Sequence, residues 1–236
     1  MPFTFYPANL RGKSDHGWLQ SRFSFSFADF YNPTLMGFGK LRVLNDDIIA
    51  PNNGFPMHRH VNMEIITIVT SGVVAHEDSL RNIAQVKAGE IQIMSAGKGI
   101  THSETNPSKT EPLNLFQIWI EPKIKYIEPR YDQKEYNLEN LENNWELLVC
   151  PDKENPETLW INQEAYFSMG VFEIGETLYK LRDSKLGLYL FVIEGEVEVL
   201  GQSMSSRDAI GTRNETDLKI KVLKPAKLLA IEVAFV

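Results

Sequence analysis

The sequence predicts an all-β protein in which a β-barrel or sandwich unit occurs twice. Three observations carry that expectation. Apolar and polar residues alternate with a period of two along most of the chain, as half-buried strands require. Sustained helical periodicity is absent. Two elements of strand, glycine and strand, EIITIVTSGVVAHED in the first half and LYLFVIEGEVEVLG in the second, resemble each other across a polar middle, which is the mark of a repeated unit.

In chain order, Phe23, Phe25 and Phe27 alternate with serines and are expected to pack one strand face into the core. Strands follow at MGFGKLRVLND, MEIITIVTSG, AGEIQIMSAG and NLFQIWIEP. The polar segment EPKIKYIEPRYDQKEYNLENLENN, residues 121–144, carries two prolines and few strand-like runs, so it is expected to link the halves. LENLENNWELLV suggests a short helix entering a strand, and AYFSMGVFEIG a further strand. GEVEVLGQ alternates Val197 and Val199 with Glu196 and Glu198, and Gly201-Gln202 is expected to turn a hairpin. DLKIKVLK and KLLAIEVAFV complete the set.

The formal net charge is -7, and no run of Lys or Arg interleaved with aromatics appears. Direct binding to nucleic acid or to an anionic membrane surface is therefore not expected, whereas a protein partner is compatible. Cys150 is the single cysteine, so no intramolecular disulfide forms, and with no nearby histidine it reads as a buried apolar residue. The start MPFTFYPANLRGK lacks signal-peptide features, and the longest apolar runs, such as IITIV, are too short to span a bilayer. A cytoplasmic monomer is expected.

Five histidines, at 16, 58, 60, 76 and 102, all fall in the first half. In extended FPMHRHVNMEI, His58 and His60 share a face, ~7 Å apart at Cα. GITHSETN repeats the spacing with His102 and Glu104. An HxH strand crossing an HxE strand offers three nitrogens and one carboxylate oxygen. With no thiolate, such a set suits Fe(II), Mn(II), Co(II), Ni(II) or Cu(II) better than structural zinc, and an octahedral ion keeps two positions for water, O2 or substrate. His76 reads as a surface or turn residue, with pocket lining as the alternative, and His16 as a turn residue. Gly97-Lys98-Gly99 lacks a following helix, so it is assigned to the turn that delivers His102.

The chain resembles the pirin family of the cupin superfamily in HGWLQSRFSFSFADFYNPTLMGFGKLRVLNDD, GFPMHRHVNMEIIT, AHEDS, GEIQIMSAGKGITHSETNP and QIWIEP. The resemblance implies a bicupin, two jelly-roll-like β-barrels in one chain. Residues 1–135 would form the metal-binding cupin domain, and residues 136–236 a cupin-like domain without metal ligands. It places the ligands on His58, His60, His102 and Glu104. The ion would be single and divalent, Fe(II) first, with Mn, Co, Ni, Cu or Zn as substitutes. Glu64, which follows the HxH as a glutamate does in other cupins, is expected nearby, orienting an imidazole. Phe23 and Asn114 depart from the pattern of bacterial members, where histidines often stand, which bears on pocket polarity and substrate choice.

Two functions follow from the resemblance. One is quercetin 2,3-dioxygenase activity on a flavonol-like small molecule, with Glu104 leaving the metal to accept a substrate hydroxyl proton. The other is a non-enzymatic, iron-dependent redox sensor acting through a protein partner. A wide apolar pocket favours the first and a closed one the second.

Overall fold

The period-two alternation becomes twenty strands among residues 3–235, which are the residues described by the computed structural model. They are β1 (Phe3–Tyr6), β2 (Gly12–Asp15), β3 (Leu19–Phe23), β4 (Leu41–Ile49), β5 (Gly54–His60), β6 (Glu64–Ser71) and β7 (Val73–Asp78). Next come β8 (Ile83–Lys87), β9 (Glu90–Ser95), β10 (Ile100–Thr105), β11 (Leu113–Ile120), β12 (Arg130–Glu135) and β13 (Glu146–Cys150). β14 (Leu159–Trp160), β15 (Ala165–Phe172), β16 (Gly175–Lys180), β17 (Gly187–Val199), β18 (Gln202–Ser205), β19 (Ala209–Arg213) and β20 (Asp217–Val233) complete the chain. Val236, the last residue of the final expected strand, lies outside the described residues, as do Met1 and Pro2.

Three sheets result. A seven-stranded sheet runs β12-β9-β6-β11-β4-β3-β2, and a four-stranded sheet, β5-β10-β7-β8, packs on it. The third sheet has nine strands along the path β1-β19-β17-β20-β15-β13-β14, with β16 and β18 paired at its sides. The fold is the expected all-β bicupin, although its sheets are open and jelly-roll-like rather than closed barrels. β1, first in sequence, pairs with β19 in the second half's sheet, from Phe3 opposite Thr212 to Tyr6 opposite Ala209.

The largest core lies between the two halves. Leu44, Ile66, Ile68, Ile91, Ile93, Phe116 and Ile118 of the seven-stranded sheet pack with Phe167, Met169, Tyr189, Phe191, Leu229 and Ile231 of the nine-stranded one. This explains why β6, β9 and β11 are almost continuously buried. One face meets the second half and the other meets the four-stranded sheet. The second half fills its own interior with Leu188, Leu190, Val192, Val197, Ile220 and Leu228 among others. The first half instead keeps two smaller apolar clusters, one around Val69 and Leu115 and one around Ile65 and Met94, with polar side chains between them.

Four local expectations change. The segment 121–144 is not only a linker: residues 130–135 form β12, an edge strand with Arg130 opposite Ser95 and Glu135 opposite Glu90. An edge strand is half solvated, so its polar composition hid it. DLKIKVLK and KLLAIEVAFV form one strand, β20, because Gly195 (φ 96) on β17 lets the two backbones close up beside Pro225 and bend without breaking. The hairpin after Val199 turns at Leu200-Gly201, one residue before the expected position, with Val199 opposite Gln202. The short helix foreseen near 138–149 is a 3-10 turn, Glu139–Leu141, ahead of β13.

Candidate metal centre

β5 and β10 lie antiparallel, with His58 opposite His102 and His60 opposite Ile100. Strand alternation puts each HxH or HxE pair on one face, and this register makes the two faces coincide. The ring centroids are 4.7 Å apart for His58 and His60, 4.5 Å for His58 and His102, and 5.1 Å for His60 and His102. One nitrogen from each ring lies within 4.8 Å of the other two. β5 is the edge of its sheet, which tolerates Pro56. Gly97 (φ 46) turns the chain into β10 where a Cβ would strike the carbonyl of Ile127, as the turn expectation requires.

A bulge after His102 sets Glu104 opposite Phe55 on β5 and opposite His76 on β7. Glu104 therefore groups with His102 and His76, again within 4.8 Å, and His102 belongs to both groups. His76 is a buried residue of this neighbourhood rather than a surface one. Its Nε2 is 3.2 Å from Oδ2 of Asp78, and its ring stacks on Tyr131 at 4.3 Å.

Glu104 is held from below by Gln117, Thr67 and Gln92, three members of a row of side chains that the sequence reading missed. Asn45, Gln117, Thr67 and Gln92 occupy successive strands of the seven-stranded sheet in direct register. Thr67 donates to Oε1 of Glu104 at 3.1 Å and Gln92 donates to the same atom at 2.6 Å, while Gln117 donates to Oε2. The hydroxyl of Tyr131 on β12 lies 3.0 Å from Oε1 of Gln92. The signal was present: within EIITIV, EIQIMS and LFQIWI, strands buried on both faces, a lone Thr or Gln marks the inward position.

Burial pushes the Glu104 carboxyl up to about 7, against the opposing pull of the bonds from Thr67, Gln117 and Gln92. Burial, and the neighbouring His58, lower His60 to about 4. Burial and the other histidines lower His102 to about 2. Both rings are thus neutral at pH 7. The Nδ1 of His58 is 2.8 Å from the carbonyl of Pro56, which can only accept, so Nδ1 carries a hydrogen and Nε2 is the nitrogen left for a metal.

The donors fit a divalent ion. Among the described residues, neither buried ring nitrogen of His102 has a hydrogen-bond partner, although the ring sits between two other imidazoles and a carboxylate. Neutral nitrogens with a carboxylate oxygen and no thiolate favour Fe, Mn, Co, Ni or Cu. They open onto a cavity of about 340 Å3 walled by Trp18, Phe23, Phe27, Phe55 and Trp119.

Residues 5–120 match the model of the pirin family, and residues 147–233 match that of the quercetinase C-terminal cupin domain. The chain is 38% identical over 227 residues to the quercetin 2,3-dioxygenase of Escherichia coli K12, covering 96% of each. The chain belongs to the pirin family. It is also 39% identical over 229 residues to a pirin-like protein of Caulobacter vibrioides, covering 97% of this chain and 98% of the other. The crystal structure of the bacterial pirin YhhW from Escherichia coli in complex with nickel(II) matches with a TM-score of 0.92 at 37% identity. That match covers 99% of this chain and all of YhhW.

Other expectations are corrected within this pirin. Glu64 does not orient an imidazole. On the far face of β6 it accepts from the Ser95 hydroxyl at 2.7 Å and from the backbone N–H of Asn162 at 3.2 Å, joining the two halves. Phe23 and Phe27 line the cavity, and only Phe25 of that trio enters the large core. His16 lines the cavity as well, 2.9 Å from the Ser14 hydroxyl. Asn114, on β11, is not among the cavity-lining residues. Cys150 is buried as expected. Among the described residues no helix is long and apolar enough to cross a membrane.

Proposed function

We propose that this pirin is a metal-dependent dioxygenase that opens the ring of a flavonol such as quercetin with O2. We place its single divalent ion, Fe(II) first, on His58, His60, His102 and Glu104. One observation carries the reading: the imidazoles of His58, His60 and His102 converge at one end of an aromatic-walled cavity sized for a small ligand, and His102 also adjoins the buried carboxyl of Glu104. The cavity supports this reading over a regulator that works only through a protein partner. The names of the relatives support the reaction class, and the nickel(II) complex of YhhW supports the ion and adds nickel to the metals to test.

Bound there, the ion supplies a Lewis-acidic, redox-active centre for O2 and a substrate oxygen. The aromatic walls exclude water and hold a flat ring system beside the histidines. Glu104, raised to about 7, is poised to exchange a proton near neutrality. Its Oε1 already accepts from Thr67 and Gln92, whereas among the described residues Oε2 accepts only from Gln117 and is the atom with room for the substrate's hydroxyl proton. Loss of that proton makes the flavonol electron-rich enough to react with O2. Both oxygen atoms enter the product and one ring carbon leaves as carbon monoxide.

The test is O2 uptake with quercetin by protein stripped of metal and reloaded in turn with Fe(II), Mn(II), Co(II), Ni(II) and Cu(II), beside His58→Ala and Glu104→Gln. Uptake that needs both residues is expected. Stoichiometric metal binding without uptake from any flavonol would overturn the reading.

A further inference from the structure

The cavity contains two buried acceptors that neither the histidines nor Glu104 use. Asn45 and Asp47 lie two apart on β4, so they share its cavity face, and both line the cavity. Their residues are 3% and 2% exposed, and among the described residues neither Oδ1 of Asn45 nor Oδ1 of Asp47 has a hydrogen-bond partner. Buried oxygens are paired in folded proteins, and an exception beside a ligand cavity marks a partner that the ligand brings. Beyond the Ser21 hydroxyl that faces the Asp47 carboxyl, these two Oδ1 atoms lack donors among the described residues, which selects for hydroxyl-bearing ligands.

Position narrows the ligand further. Asn45 is in register with Gln117, the residue that donates to Oε2 of Glu104, and Asp47 is in register with Ser21 on the outer side. The acceptors therefore start one strand spacing, about 5 Å, from the strand of Gln117 and extend ~7 Å along β4. The other walls are aromatic, chiefly Phe23, Phe27, Phe55 and Trp119, and stack on flat rings.

We infer that Asp47 and Asn45 are specificity-determining residues. They accept hydrogen bonds from hydroxyl groups remote from the reacting oxygen and select a flat, polyhydroxylated aromatic over a bare one. This deepens the flavonol reading above and rests on it for the placement of the reacting oxygen. A carboxyl keeps an acceptor oxygen whether charged or neutral, so Asp47 serves in either state.

The test is ligand binding, followed by quenching of tryptophan fluorescence, since Trp18 and Trp119 line the cavity. The panel is quercetin, 3-hydroxyflavone, which lacks the remote hydroxyls, catechol and its dimethyl ether. The proteins are wild type, Asp47→Leu, Asn45→Leu and Asp47→Asn, each checked for folding by thermal melting. Wild type is expected to bind quercetin more tightly than 3-hydroxyflavone. Asp47→Leu and Asn45→Leu are expected to weaken quercetin about tenfold each while changing 3-hydroxyflavone by less than about threefold, and Asp47→Asn, which keeps an acceptor, to retain most of the affinity. Equal losses for both flavonols, or none in either Leu variant, would overturn the assignment. If neither flavonol binds but catechol does, with its ether excluded and the same dependence on Asp47, the flavonol reading falls and the assignment stands. If no member of the panel binds wild type, both fall.

Discussion

Gln117 on β11 donates its side-chain amide to Oε2 of Glu104 on β10, tying the floor of one sheet to the site carried by the other. The bond fixes where the carboxylate points and, as a donor to its charged form, holds the proton affinity of Glu104 below what burial alone would impose. Gln117→Leu keeps the volume and removes the donor. Metal affinity or turnover is expected to fall about 10–100-fold with little change in melting temperature, because such supporting bonds orient a ligand without themselves binding the ion. Isothermal titration with Ni(II) or Fe(II) checks it; unchanged affinity together with unchanged turnover would show that Glu104 needs no support from β11.

Asp47 leads to a pH prediction. Burial, opposed by the Ser21 hydroxyl, raises its carboxyl from 3.8 to about 7. The folded protein therefore holds a proton that the unfolded chain has lost between about pH 4 and 7, so this residue makes stability fall as pH rises through that window. Asp47→Asn cannot titrate. Relative to wild type, the metal-free variant is expected to gain stability from pH 4 to pH 8, by up to about 4 kcal/mol at 1.36 kcal/mol per pH unit. Urea unfolding at the two pH values measures the change, and a difference between variant and wild type that is the same at both would contradict it.

Glu64 tests the division of labour between the two faces of β6. Thr67 faces the site, while Glu64 binds Ser95 and the backbone of Asn162 on the side of the second half. Glu64→Ala leaves a buried hydroxyl and a buried N–H without their acceptor, at an expected cost of about 1–3 kcal/mol. Metal stoichiometry should stay at the wild-type value. Loss of metal without loss of stability would return Glu64 to the metal site.

The strands that carry the histidines were legible because alternation alone places His58 with His60 and His102 with Glu104. What alternation cannot state is which strand lies opposite which. The pairing of His76 with Glu104 and the joining of Glu64 to Asn162 depend on register and on contacts 28 and 98 residues apart, so both residues were misplaced. The same limit hid Asn45 and Asp47, since a polar residue on a strand is unremarkable until its face is known to be buried. β12 was lost for a different reason: an edge strand facing solvent has the composition of a loop.

The core between the sheets is shared by the two halves, which are therefore expected to unfold together. Phe116 of β11 and Phe191 of β17 meet at its centre with ring centroids 5.5 Å apart at 80°, and the guanidinium groups of Arg207 and Arg11 lie over these rings at 5.2 and 5.4 Å. Both phenylalanines are fully buried. Phe191→Ala is therefore expected to destabilise by about 3–5 kcal/mol, the range for a large aromatic removed from a packed core. Because residues of both halves lose the same contacts, unfolding should remain a single transition, with tryptophan fluorescence and far-ultraviolet circular dichroism coinciding. Trp18 and Trp119 report on the first half, and Trp145 and Trp160 on the second. Separated transitions in the variant, one matching the loss of Trp145 and Trp160 signal alone, would show that the first half holds its metal-site geometry without the second, and that the shared core is not what keeps β11 and its Gln117 in place.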